Sequence, residues 1–77
     1  MTNLHRPRPV RDILAQSKRQ PGDKLVLDDA NDAWLDLDGR VSERNAPHHY
    51  IADVSGLHGA ARVSAALAAL SAYRASA

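Results

Sequence analysis

The C-terminal part of the chain most constrains the fold, because it is a run of alanines in which larger apolar residues recur at helical spacing. Between residues 60 and 76 the apolar positions repeat every three or four residues, at Ala60, Val63, Leu67, Leu70 and Tyr73. This period places them on one face of an α-helix. Such a face must be covered by another apolar surface, which the rest of the chain has to supply.

The middle of the chain predicts that this surface is a sheet of three or four antiparallel strands. The strand-like segments are residues 24–27, 33–37, 40–44 and 48–54. In the second segment Leu35 and Leu37 alternate onto one face. The other face then carries Trp34, Asp36 and Asp38. The dipeptide Asp38-Gly39 is typical of a type I′ hairpin turn, so the second and third segments are predicted to pair.

A short helix is predicted before the strands. Val10, Ile13 and Leu14 lie at helical spacing, Pro9 suits the first position of a helix, and a Pro-Gly pair at residues 21–22 stops the pattern. The helix is therefore predicted over about residues 9–19. Residues 1–8 have no periodicity and are predicted to form an extended basic arm. At the other end of the chain, Ser55 is predicted to cap the last helix.

These elements predict a single α+β domain over residues 1–77, with a small antiparallel sheet of three to four strands and two helices packed on one face, in the order α-β-β-β-α. The 77 residues are 44% hydrophobic and 25% charged, as in ordinary globular proteins. The chain has no Cys, which excludes disulfides and thiolate metal sites. No apolar run reaches the about 18–20 residues of a membrane span, and no signal peptide pattern is visible, so we expect a cytoplasmic protein.

Charge is divided between two neighbouring segments, although the net charge is only +1. Residues 1–22 contain five basic residues and one Asp, whereas residues 23–38 contain six Asp and one Lys. Such asymmetry favours a charged partner for one segment or the other. Alternatively, both segments are solvated and attract each other within the fold.

The acidic segment predicts a surface that binds another protein. Its candidate contacts lie along a hairpin and are Asp28, Asp29, Asp32, Trp34, Asp36 and Asp38. Carboxylates can bind a surface rich in Arg and Lys, such as that of a nucleic-acid-handling complex, and a Trp flanked by charges is a typical anchor. Small inhibitors from phages and mobile elements, including anti-CRISPR proteins, are similar in being short and cofactor-free. Trp34 is predicted either to fill the core or to contact the partner, which could be a second copy of the chain.

No pattern in the sequence predicts catalysis, a metal site or a cofactor. His48, His49 and His58 match no established zinc spacing, and the Asp-rich segment lacks the ligand positions of an EF-hand loop. There is no nucleophile elbow and no phosphate-binding loop. We therefore expect a non-catalytic protein that acts by stoichiometric contact, as a regulator or an inhibitor.

The alternative prediction is a DNA-binding function. Residues 7–14 (Pro-Arg-Pro-Val-Arg-Asp-Ile-Leu) and 21–25 (Pro-Gly-Asp-Lys-Leu) resemble the Pro-Lys-x-Val-Arg…Leu…Pro-Gly-Asp-Lys run of AbrB-type swapped-hairpin transcription factors and antitoxins. The resemblance implies a DNA-binding dimer in which Arg8 and Arg11 contact phosphates or bases. A basic arm can also follow the DNA backbone or enter a minor groove. The residues predicted to bind nucleic acid are Arg6, Arg8, Arg11, Lys18 and Arg19.

Overall fold

The computed structural model describes residues 6–16, 24–44 and 50–76. Within these residues the elements are, in chain order, α1 (Val10–Gln16), β1 (Leu25–Val26), β2 (Ala33–Leu35), β3 (Arg40–Glu43), β4 (Ala52–Asp53) and α2 (Gly59–Ser76). The strands form one antiparallel sheet in the order β1-β2-β3-β4. The predicted α+β fold is confirmed, and the sheet has four strands.

The register of the strands decides which residues face the helices. Leu35 of β2 lies opposite Leu25 of β1 and Val41 of β3, and all three are buried. Trp34, its neighbour in β2, lies opposite Ser42. Because successive strand residues point to opposite faces, Leu35 faces the core and Trp34 faces away from it.

The hydrophobic core lies between the sheet and the two helices. Its buried residues are Ile13, Leu25, Leu27, Ala33, Leu35, Val41, Val54, Val63, Ala66 and Leu70. In α2 the buried face runs through Ala66, whereas Leu67, a member of the predicted apolar stripe, is half-buried at its edge. Since alanine has no side chain beyond Cβ, Ala66 allows the helix to lie close to the sheet.

The turn between β2 and β3 differs from the predicted type I′ turn. The N–H of Asp36 donates to the carbonyl of Arg40, and the N–H of Gly39 donates to the carbonyl of Asp36, both over 3.0 Å. Gly39 has a φ of 90°, whereas Asp38 does not have a positive φ. The loop is therefore three residues long, with a type I turn followed by a left-handed glycine.

This longer loop shortens β2. The strand ends at Leu35 instead of residue 37, so Leu37 leaves the inward face on which it was predicted and is 51% exposed. The other strands also cover only part of the segments predicted for them. Two-residue strands at both sheet edges leave little backbone for unwanted pairing.

The helix ends also differ from the predictions. α1 begins at Val10, and the carbonyl of Pro9 accepts hydrogen bonds from the N–H groups of Asp12 and Ile13. The last three residues of the predicted helix, 17–19, lie outside the described residues. α2 begins at Gly59, so Ser55 is not its cap.

The N–H of Ser55 instead donates to Asp53 Oδ1 over 2.9 Å, which holds the chain in a turn before the helix. At the opposite edge of the sheet, the side chain of Gln16 binds the backbone of Val26. Its Nε2 donates to the carbonyl of Val26, and its Oε1 accepts from the N–H, each over 2.9 Å. The end of α1 is thereby fixed to β1.

Candidate functional site

The residues predicted to bind a partner divide between the two ends of β2. We call residues 27–32 the β1–β2 turn and residues 36–39 the β2–β3 turn. The first turn holds Asp28, Asp29 and Asp32, and the second holds Asp36 and Asp38, with Trp34 on the strand between them. The carboxylates therefore form two groups, and the neighbours of each group decide what it can bind.

Asp28 is an internal residue and not the surface contact that was predicted. Its side chain is fully buried, and its Oδ2 accepts a hydrogen bond of 2.8 Å from Nη2 of Arg74. Its Oδ1 accepts the N–H of Asp32 over 2.8 Å. The same Arg74 donates from Nε to Oε2 of the buried Glu43 over 2.7 Å. One guanidinium thus joins the C-terminal end of α2 to the β1–β2 turn and to β3.

Arg74 and Glu43 were missed by the sequence analysis, although one signal was present. Arg74 lies four residues after Leu70 and therefore continues the buried face of α2. Partial burial lowers the pKa of Arg74, but the hydrogen bonds and the charges of Asp28 and Glu43 outweigh that effect and raise it above its ordinary value. The guanidinium is therefore charged at neutral pH, as arginine is in proteins generally.

Asp29 and Asp32 are also paired with arginines. Arg8 Nε lies 3.6 Å from Oδ1 of Asp29, and Arg44 Nε lies 3.0 Å from Oδ1 of Asp32. Arg44 Nη2 also donates to the carbonyl of Asn31 over 3.2 Å. Each Asp of the β1–β2 turn therefore has an arginine of this chain beside it, which lowers the negative potential that the turn offers to a partner.

The described part of the predicted basic arm is docked onto this turn. The N–H of Arg8 donates to the carbonyl of Leu27 over 2.9 Å, and the N–H of Asp29 donates to the carbonyl of Arg6 over 3.1 Å. Arg11 in α1 is 90% exposed, with Nε 3.9 Å from Asp12 Oδ1. Residues 1–5 of the arm, and the predicted contacts Lys18 and Arg19, lie outside the described residues. Of the arginines predicted to bind DNA, Arg8 thus lies against a carboxylate of its own fold.

Trp34 is half-buried on the face of the sheet that points away from the helices, and it does not belong to the core cluster. Its Nε1 donates to Oδ1 of Asn31 over 2.7 Å. The ammonium of Lys24 lies 5.6 Å from the ring centroid, within the range of a cation–π interaction. The indole is therefore held in one orientation with part of its surface exposed.

The β2–β3 turn is the part of the predicted site that stays acidic. Asp38 is exposed, and Asp36 is half-buried with Oδ1 accepting the N–H of Arg40 over 3.0 Å. No cation among the described residues forms an ion pair with either carboxylate. Leu37 lies between them and is 51% exposed. Two carboxylates and one apolar side chain thus project from a single turn.

Arg62 of α2 fixes this turn to the loop before α2. Its guanidinium donates to three main-chain carbonyls: Nε to Leu57 over 2.7 Å, Nη2 to Ser55 over 3.1 Å and Nη1 to Leu37 over 3.3 Å. Gly39 strengthens the same junction, because a Cβ added to it would lie 2.5 Å from Cα of Ser55. The backbone of the β2–β3 turn is thereby held in place on two sides.

The histidines do not form a recognisable site within the described residues. His58 is exposed just before α2, while His48 and His49 lie outside the part of the chain that the structure describes. Among the described residues there is no group of three or more His, Cys, Asp or Glu side chains that could hold a metal ion.

Neither described helix is both long and apolar enough to cross a membrane. Comparisons of the chain with protein-family models, with curated proteins and with solved structures find no match. The geometry of the two turns and of Trp34 is therefore the basis on which a function can be argued.

Proposed function

We propose that this chain is a non-catalytic binding protein, a regulator or inhibitor that acts in the cytoplasm by stoichiometric contact with a basic surface of another protein. The observation that carries the proposal is the contrast between the Asp residues at the two ends of β2. Asp29 and Asp32 are paired with arginines of this chain, whereas Asp36 and Asp38 form no ion pair with any cation in the described part of the chain. Free carboxylates on a fixed turn can attract and orient a partner rich in Arg or Lys.

Two further features support a protein as the partner. Leu37 is exposed between the two carboxylates, and Trp34 keeps part of its indole exposed in a fixed orientation. Interfaces combine aromatic or aliphatic anchors with a polar rim, and a residue that is already ordered loses less conformational entropy on binding. We place the contact at the β2–β3 turn, with Trp34 available as a neighbouring anchor.

The proposal is tested by comparing two charge-reversed variants as baits. The chain, Asp38→Lys and the matched control Asp29→Lys are each used to capture proteins from the organism that encodes it, and the stoichiometry of the complex is measured with the purified partner. We expect a partner that binds one-to-one, that is lost with Asp38→Lys and that is retained with Asp29→Lys. Equal binding by both variants would contradict the proposed surface.

Binding of duplex DNA is the alternative, and the same protein allows it to be tested. Polarisation of a labelled random duplex is measured at about 50 and 200 mM salt, because phosphate contacts weaken steeply over that range. The docking of Arg8 against Asp29 leads us to expect no such binding. Salt-sensitive binding that disappears when Arg6, Arg8 and Arg11 are neutralised would replace the protein-binding proposal with a DNA-binding one.

A further inference from the structure

We propose that a groove beside the β2–β3 turn receives one large apolar side chain of the partner, from a peptide segment in which that side chain adjoins Lys or Arg. The inference rests on the proposed function, because it gives the chemistry of the partner at the same turn. It is carried by the size and lining of the groove, by the exposed Leu37 at its mouth and by the charge beside it.

The groove opens between α1, the sheet and the start of α2, and its volume is about 230 Å³. Its apolar lining includes Leu14, Leu25, Leu35 and Val63. An apolar cavity of about 150 Å³ is sufficient to bind benzene. Sites for whole small-molecule ligands occupy about 300–1,000 Å³. The groove therefore fits one aliphatic or aromatic side chain better than it fits a cofactor.

One exposed leucine, Leu37, lies at the mouth of the groove. It lines the groove and is 51% exposed, whereas Leu57, in the loop before α2, is 42% exposed and does not line it. Arg62, which also lines the groove, binds the main-chain carbonyls of both leucines. Because these loops are already fixed to each other, a peptide would bind here with little further ordering of the protein.

The charge beside the mouth of the groove favours certain residues next to the apolar side chain in the bound peptide. Asp36 lines the groove, and Asp38 follows Leu37 in the same turn. Arg62 brings a positive charge to the rim, but its guanidinium N–H groups donate to main-chain carbonyls. The side of the mouth formed by the β2–β3 turn is thus acidic, which complements Lys or Arg and disfavours Asp or Glu in the peptide.

Selection of short random peptides against the whole chain tests this inference. We expect enriched peptides to contain a large apolar residue adjoining Lys or Arg, and their binding is measured by fluorescence anisotropy. Leu37→Glu should weaken binding by about tenfold or more, since it replaces apolar surface at the mouth with a carboxylate that would have to lose its hydration against the apolar side chain of the peptide. The matched control, Leu57→Glu, changes an exposed leucine that does not line the groove and should leave the affinity nearly unchanged.

Further variants separate this inference from the proposed function. The double variant Asp36→Asn and Asp38→Asn keeps an oxygen to accept the N–H of Arg40 while it removes both charges. Basic peptides that bind the turn but are insensitive to Leu37→Glu would overturn the groove and leave the proposed function standing. Apolar peptides that need Leu37 but not the two charges would keep the groove and count against an acidic docking surface. Failure to enrich any peptide, or groove-dependent dimerisation of the chain, would overturn the inference.

Discussion

The β1–β2 and β2–β3 turns are both rich in Asp, but their Asp side chains have different neighbours in the folded protein. In the β1–β2 turn Asp28 is buried against Arg74, and Asp29 and Asp32 lie beside arginines from the N-terminal segment and from the residue after β3. In the β2–β3 turn Arg62 binds main-chain carbonyls, and the carboxylates of Asp36 and Asp38 form no ion pair within residues 6–16, 24–44 and 50–76. Similar local sequences thus become a structural junction at one end of β2 and an exposed acidic surface at the other.

The difference shows that a run of like charges has no single role. A buried carboxylate is stable only with a charged or hydrogen-bonding partner, so Asp28 depends on the helix that carries Arg74. An exposed carboxylate needs no such partner, because water solvates it. Negative charge that remains exposed on a fixed backbone is the part that another molecule can use.

The largest effect is expected from removing the charge that stabilises the β1–β2 turn. Arg74→Ala leaves Asp28 and Glu43 buried without their cation, and should lower the free energy of unfolding by about 3–5 kcal/mol. Urea unfolding measures the change. The control is Arg44→Ala, which breaks an exposed ion pair and should cost about 0–1 kcal/mol. Equal losses in the two variants would mean that the buried network has no special role.

A smaller loss of stability is expected when a side chain is added at Gly39 in the β2–β3 turn. Gly39→Ala forces a residue with a Cβ into a φ of 90°, which alone costs about 1–3 kcal/mol, and the Cβ also meets the backbone of Ser55. The matched control is Gly56→Ala, where an added Cβ meets nothing within 4 Å and the φ is not positive. Thermal unfolding should distinguish them, and a Gly39→Ala protein as stable as the Gly56→Ala control would contradict the close packing of this turn.

Trp34 lies between the two turns. Its replacement tests whether its side chain belongs to the core or to the outer face of the sheet. Trp34→Ala removes a half-buried side chain from the outer face, so we expect the free energy of unfolding to fall by about 1–2 kcal/mol. A fully buried Trp would cost about 3–5 kcal/mol. Leu35→Ala, the neighbouring substitution on the core face, provides the comparison in the same urea experiment. A loss for Trp34→Ala that matches or exceeds that of Leu35→Ala would assign Trp34 to the core.

The smallest expected effect is on the stability of the protein in acid, through the carboxylate of Asp53. Hydrogen bonds from the side chain of Ser55 and then from its N–H, together with the nearby charges of Arg40 and Arg62, hold the pKa of Asp53 below its ordinary 3.8. Its contribution to stability is therefore present above that value and is lost as the pH falls through the lowered pKa. Between about pH 5 and pH 2, the original chain should lose more stability than Asp53→Asn does. If the urea midpoints of the two proteins fall by the same amount as the pH is lowered, the carboxylate has no such role.

Local sequence patterns predicted the elements but not their ends. The spacing of Val63 and Leu70 indicated α2, and the alternation around Trp34 indicated β2 with the correct inward and outward faces at Leu35 and Trp34. The turn after β2 was assigned the wrong type, because a Gly preceded by Asp also fits a longer loop in which only the Gly has a positive φ. That one-residue difference was sufficient to move Leu37 from the predicted core face to the surface.

The sequence by itself determined where the chain forms helices and strands, because backbone preference and apolar period depend on residues only a few positions apart. It also placed all the candidate carboxylates in one segment. Only the tertiary structure decided which of them stay exposed. Arg74 is 46 residues from Asp28 and 31 from Glu43, so their network exists only once α2 packs on the sheet. Electrostatic pairing depends on distance in space, which a linear pattern of charges does not contain.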